Sequence, residues 1–214
     1  MALAVYILLR WRLGDVVTDD VRWWVIAAAV MGAAVGSRLL GTLEHPAASW
    51  AAGESGKTIV GGLAGGWVAV EWVKKYRGVR TATGDLLALP LVVGIAIGRV
   101  GCFLTGLTDQ TYGSPTSLPW GVDFGDGIRR HPMQLYEIVF LTAMGWGLWR
   151  MLRGPHWNGV VFKAFMMGYA GWRLVTDFWK DDARWAGLSA IQWVCLGVMV
   201  LVLAGWRRVQ GLAR

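Results

Sequence analysis

The chain has 214 residues, of which 55% are hydrophobic and only 16% charged. A soluble domain of this size carries about a quarter charged residues, so the composition excludes an ordinary globular domain and points to a protein of the bilayer. The net charge of +7 fits basic loops beside a membrane and not a nucleic-acid partner, and two cysteines, Cys102 and Cys195, in separate apolar runs exclude a disulfide framework or a zinc site.

In chain order, the opening run Ala2–Leu9 is too short for a span and has no charged stretch before it, so it reads as the tail of a further span, re-entrant or truncated, and not as a cleavable signal. Six segments then approach the roughly 20 residues needed to cross hydrocarbon: 23–43, 59–73, 85–107, 132–151, 158–178 and 186–206. The expected fold is all-α, a polytopic membrane helix bundle of about six spans plus the short N-terminal segment. Residues 1–214 are expected to form one integral membrane domain, with an outer loop or small cap at 108–131 that contains Pro115 and Pro119. Trp23, Trp24, Trp72, Trp149, Trp179, Trp185 and Trp206 fall near segment ends, at the depth an indole prefers. The pairs Gly61-Gly62 and Gly65-Gly66 suit close helix contact.

Orientation follows from Lys and Arg. Twelve lie in one alternating set of connections and termini, including Lys74, Lys75, Arg77, Arg150 and Arg153, against five in the other. The richer set is expected to be cytoplasmic, with the C-terminus inside and 44–58, 108–131 and 179–185 outside.

Three arginines, Arg38, Arg99 and Arg173, fall inside spans, where each costs about 2.5–3.5 kcal/mol. At 1.5 Å per residue they lie roughly 8 to 12 Å below the outer surface. That common depth predicts a phosphate-binding layer in the outer leaflet, since guanidinium matches phosphate oxygens with a planar fork. The competing reading is snorkelling with local ion pairs, Asp177 being four residues after Arg173. Tyr169, Arg173 and Asp177 share one helix face, and His131, Gln134 and Glu137 open another span. Asp85 belongs to a cytoplasmic end and reads as a cap. Gly53-Glu54-Ser55-Gly56-Lys57-Thr58 lacks the first glycine and the preceding strand of a nucleotide-binding P-loop and is rejected as one. No cofactor and no metal is expected.

The run Arg130-His131-Pro132-Met133-Gln134-Leu135-Tyr136-Glu137 resembles the signature of the bacterial prolipoprotein diacylglyceryl transferase family. Gly36-Ser37-Arg38, Asp85 with Gly98-Arg99-Val100-Gly101-Cys102-Phe103, Gly168-Tyr169-Ala170-Gly171-Trp172-Arg173 running to Asp177-Phe178, and Gln192 match further family segments in order. The resemblance implies a multi-pass enzyme of the bacterial inner membrane. It would move the diacylglyceryl group of phosphatidylglycerol to the lipobox cysteine of a secreted precursor, releasing glycerol phosphate. It places Arg99 and Arg173 on the phosphate, Tyr169 and Asp177 in support, and the His131–Glu137 run around the site, with Arg38, Gly61 and Gly62 among the lipid-binding positions.

The chain also departs from the family. The family's His-Gly-Gly reads Val60-Gly61-Gly62, its asparagine is Cys102, and its following acidic residue is Leu107. A transferase on this pattern would use another base, such as His131, or another acceptor; Cys102 itself would be the nucleophile in a covalent variant. The alternative is a non-catalytic relative that binds a lipid or assists a partner. An anion carrier finds no support in inverted repeats.

Overall fold

A computed structural model describes residues 1–13, 19–44, 57–79, 81–154, 158–180 and 184–210. These are predominantly helical: α1 (Ala2–Leu13), α2 (Asp19–Glu44), α3 (Ile59–Tyr76), α4 (Asp85–Thr105), α5 (Met133–Arg153), α6 (Val160–Thr176) and α7 (Ala190–Gln210). Two antiparallel ribbons join them, β1 (Val122–Asp123) with β2 (Arg129–Arg130) and β3 (Arg184–Trp185) with β4 (Leu188–Ser189). Residues 53–56 of the rejected P-loop stretch lie outside the described residues; Thr58 is the N-cap of α3, its hydroxyl accepting from Gly61 N at 3.2 Å.

Among the described residues, two stretches, Val21–Glu44 and Asp85–Asp109, are long and apolar enough to cross a bilayer, and only 22% and 33% of their most apolar windows are buried within the protein. The helix of a soluble core would hide such residues. Here Val30, Met31, Val35 and Leu39 on α2 and Ile97, Val100 and Leu104 on α4 face outward, as they do when the solvent is hydrocarbon. At helix ends, Arg77 lies 4.4 Å over Trp24 and Arg153 4.1 Å over Trp149, the cation–aromatic pairing expected of an interfacial belt.

Several boundaries differ from the hydropathy segments for local reasons. The last helix begins at Ala190 and not 186, because Ala186 (φ 51) and Gly187 (φ 85) close a two-residue turn between β3 and β4. Helix α4 stops at Thr105, where Gly106 (φ 69) turns the chain into a 3-10 turn, Gly106–Asp109. A second 3-10 turn, Asp177–Trp179, follows α6.

The chain divides into two compact units. The first comprises Met1–Gly14, Gly84–Phe165 and Phe178–Asp181. Within it α4 packs against α1 and α5. Asp85, expected as a cap, is one, but for another helix: its carboxylate accepts from Gly159 N at 2.6 Å and from Phe162 N at 2.9 Å, satisfying amides at the start of α6 that have no intrahelical partner. Asp85→Ala will strand both buried donors. We expect it to lower stability by about 1–3 kcal/mol, read as an earlier thermal midpoint in detergent, with Asp85→Asn losing less.

The connection at 108–131 is an ordered β1–β2 hairpin, pairing Val122 with Arg130 and Asp123 with Arg129. Asp123 Oδ1 accepts from the amides of Gly125, Asp126 and Gly127 at 2.8, 3.1 and 3.1 Å. Arg130 grips Asp126 with both terminal nitrogens at 2.7 Å, which holds that carboxyl below its ordinary range.

The second unit comprises Asp15–Thr83, Met166–Asp177 and Asp182–Arg214. Its main contact joins α2 to α3 through glycine. A Cβ on Gly32 would lie 2.5 Å from both Ala69 Cβ and the Gly65 carbonyl oxygen, and one on Gly36 would strike the Gly61 carbonyl. Small residues four apart on both helices therefore bring the backbones together, the usual device where lipid removes the hydrophobic drive.

Candidate functional site

In the first unit, Arg99 on α4 and Glu137 on α5 face one another, 6% and 3% exposed, with Nε and Oε2 2.9 Å apart. Neither charge is tolerable alone in that setting, and together they form an ion pair that holds the guanidinium in place. Cys102, three residues after Arg99, is half-buried with a free thiol. The Asp109 carboxylate and the Arg99 guanidinium both act on this thiol electrostatically.

Asp109 comes from the 3-10 turn after α4. It was invisible to motif reading, which looked for an acidic residue at Leu107; the turn makes a carboxylate two residues later serviceable. Its Oδ2 accepts from Thr111 Oγ1 at 2.5 Å, and Thr111 Oγ1 in turn accepts from Gln134 Nε2 at 3.0 Å. Gln134 and Glu137, at i and i+3 on α5, thus present one face to this cluster.

His131 precedes α5 and is half-buried. Its Nδ1 is 3.3 Å from Tyr136 Oη, which accepts from Trp120 Nε1 at 2.8 Å. The hairpin is thereby tied to the mouth of the helix.

In the second unit Arg173 donates to Asp177 Oδ1 at 2.9 Å, and both are buried. The other carboxylate oxygen of Asp177 accepts from Ser189 Oγ. Ser189 and Gln192 form a reciprocal cap of α7: Gln192 N donates to Ser189 Oγ at 3.1 Å and Ser189 N to Gln192 Oε1 at 2.9 Å, while Gln192 Nε2 donates to Leu174 O at 2.9 Å. One chain of bonds therefore fixes Arg173 through Asp177. Ser189 was not singled out from sequence, although Ser-x-x-Gln ahead of an apolar run is a readable capping signal.

Tyr169 is buried at 2% exposure and lines a small apolar cavity with Val60, Leu63, Met166, Ala170 and Val198. Gly61 faces Gly36 in the helix contact, whereas a Cβ on Gly62 would find nothing nearer than Ala33 O at 3.6 Å. Arg38 is exposed on α2, on the side of Val35 and Leu39, because the opposite side is given over to the glycine contact. Six residues from the helix end at Glu44, or about 9 Å, it is within snorkelling reach of the interface. The described residues of each unit thus hold one buried arginine, fixed by a carboxylate and backed by a polar network. Such a group stabilises an oxyanion without reorganising.

Known proteins resemble this chain over most of its length. The family model described as prolipoprotein diacylglyceryl transferase matches residues 1–208. A Cupriavidus metallidurans protein named phosphatidylglycerol–prolipoprotein diacylglyceryl transferase is 31% identical over 210 residues, covering 90% of this chain and 76% of its own. Proteins of the same name from Bordetella bronchiseptica and Geobacter sulfurreducens are 34% and 32% identical, covering 85% and 88% of this chain and 74% and 77% of theirs.

Proposed function

The chain belongs to the prolipoprotein diacylglyceryl transferase family, and from that premise we propose that it transfers the diacylglyceryl group of phosphatidylglycerol to the thiol of a lipobox cysteine in a secreted precursor. It does so as a multi-pass enzyme of the bacterial inner membrane, with the 108–131 hairpin outside. In the reaction the cysteine sulfur forms a thioether with the terminal carbon of the diacylglyceryl group. The bond from that carbon to the phosphate oxygen breaks, and its electron pair leaves with glycerol phosphate.

The observation that carries this reading is the buried Arg99–Glu137 pair, 2.9 Å apart. A departing phosphate gathers negative charge, and a guanidinium held in place inside a low-dielectric protein meets that charge as it develops. Arg173, held by Asp177, is a second anion-binding cation of the same kind. The thiol proton passes to His131 Nε2. That nitrogen carries the free lone pair in the tautomer whose Nδ1–H donates to Tyr136. Tyr169, at the small apolar cavity of the second unit, serves the apolar part of the lipid. Cys102 sits beside Arg99 and Asp109, and the transfer does not require it as a nucleophile.

The test is rescue of a strain depleted of its own transferase, together with release of glycerol phosphate from labelled phosphatidylglycerol and a lipobox peptide. Release with Cys102→Ser as active as the parent fits direct transfer. Lipid that copurifies and is lost in Arg99→Ala, with no release by the parent, would replace this reading with that of a lipid-binding relative.

A further inference from the structure

Gln134 is 1% exposed, and the chemistry of its neighbours decides which way its amide points. The Thr111 hydroxyl gives its single proton to Asp109 Oδ2. The Thr111 oxygen then has only lone pairs to offer, and the Gln134 group that faces it at 3.0 Å must be the NH2. The carbonyl oxygen Oε1 is left on the other side, buried, with no hydrogen-bond donor among the described residues. A buried acceptor of this kind is an expensive feature unless something completes it.

We infer that Gln134 Oε1 accepts a hydrogen bond from a hydroxyl of the lipid headgroup, and so makes this residue a reader of polyol headgroups. The inference rests on the transferase reading and deepens it. A hydroxyl suits the site better than the other common headgroup donor, an ammonium. Both carboxylates of the cluster are already engaged, Glu137 by Arg99 and Asp109 by Thr111. An ammonium beside a neutral amide would then be a buried cation without a counter-ion, with the Arg99 guanidinium close by, whereas a hydroxyl brings no charge to bury. The placement is also right for one ligand. Gln134 lies one turn from Glu137 on α5, and Glu137 Oε2 is 2.9 Å from Arg99 Nε. A phosphate on Arg99 therefore carries its headgroup hydroxyls toward Gln134.

The full-length protein in phosphatidylcholine nanodiscs tests this by competition binding with phosphatidylglycerol, phosphatidylpropanol, phosphatidylethanolamine and free glycerol 1-phosphate. Phosphatidylpropanol keeps the charge of phosphatidylglycerol and lacks its headgroup hydroxyls. The parent should prefer phosphatidylglycerol over phosphatidylpropanol by roughly 10- to 100-fold. Gln134→Met should bring that ratio close to one by weakening phosphatidylglycerol alone. Thr111→Val, which frees the amide to turn over, should cut it several-fold. A Gln134→Met protein that binds both lipids equally less well, or that keeps the parental ratio, overturns the inference. So does a parent that takes phosphatidylethanolamine as readily as phosphatidylglycerol, or free glycerol 1-phosphate more readily than the lipid. Turnover is measured separately. Headgroup preference without turnover would defeat the transferase reading and leave the hydroxyl contact standing; turnover without headgroup preference would do the reverse.

Discussion

Arg99→Ala will reduce release of glycerol phosphate by about 10³-fold, the scale seen when one preorganised oxyanion donor is removed. Its stability will fall as well, by about 3–5 kcal/mol, because Glu137 is left as a buried charge without its cation. The two effects separate in a second protein. Arg99→Met combined with Glu137→Leu removes both charges and fills the same space with apolar groups, an exchange that is often neutral for folding. The double variant should melt near the parent and still release no glycerol phosphate. Arg99→Lys should also fail, since an ammonium keeps the charge and loses the planar fork. Activity in the double variant would show that the pair serves the fold and not the phosphate. The measurements are the thermal midpoint in detergent and the rate of labelled glycerol phosphate release.

The second large effect concerns glycine. Gly65→Ala will disrupt the α2–α3 contact, because the added methyl meets the carbonyl oxygen of Gly32 and the Cα of Gly36, neither of which can rotate away. Overpacking costs typically 1–3 kcal/mol, and a backbone-to-backbone clash belongs at the top of that range, about 3 kcal/mol or more. Gly62→Ala is the control. It lies in the same helix, with the same change in propensity, yet its methyl would rest at 3.6 Å from Ala33 O and 3.7 Å from Ser37 Cβ, ordinary contact distances. Yield of folded protein and thermal midpoint should fall sharply for the first and stay within about 1 kcal/mol for the second. Equal losses from both would mean that helix propensity, not the close approach, is what matters at these positions.

Membrane class, approximate helix positions, family, and Arg99 and Arg173 as costly cations inside apolar runs can all be read from the residues alone. These are legible because apolar runs, helical spacing and a run such as His131-Pro132-Met133-Gln134 are local, and because charge inside an apolar run is conspicuous without coordinates. A partner on another helix is a different matter. Helical spacing places Asp177 beside Arg173, but nothing in the numbering joins Arg99 to Glu137, and Asp85 was readable as a cap without any sign that the amides it caps are those of Gly159 and Phe162.

Residues that look equally suspicious along the chain differ in kind once the helices are packed. Arg38 fell at the same depth as the other two arginines, yet it is exposed, because which way a helix turns depends on where its glycine face must go. Gly61 fitted a family motif and proves to be part of a helix contact. Asp109 and Thr111, unremarked in the sequence, orient Gln134. The physical reason is common to all of these. Hydropathy reports the medium a segment prefers, whereas hydrogen-bond direction and close approach depend on neighbours brought together by packing.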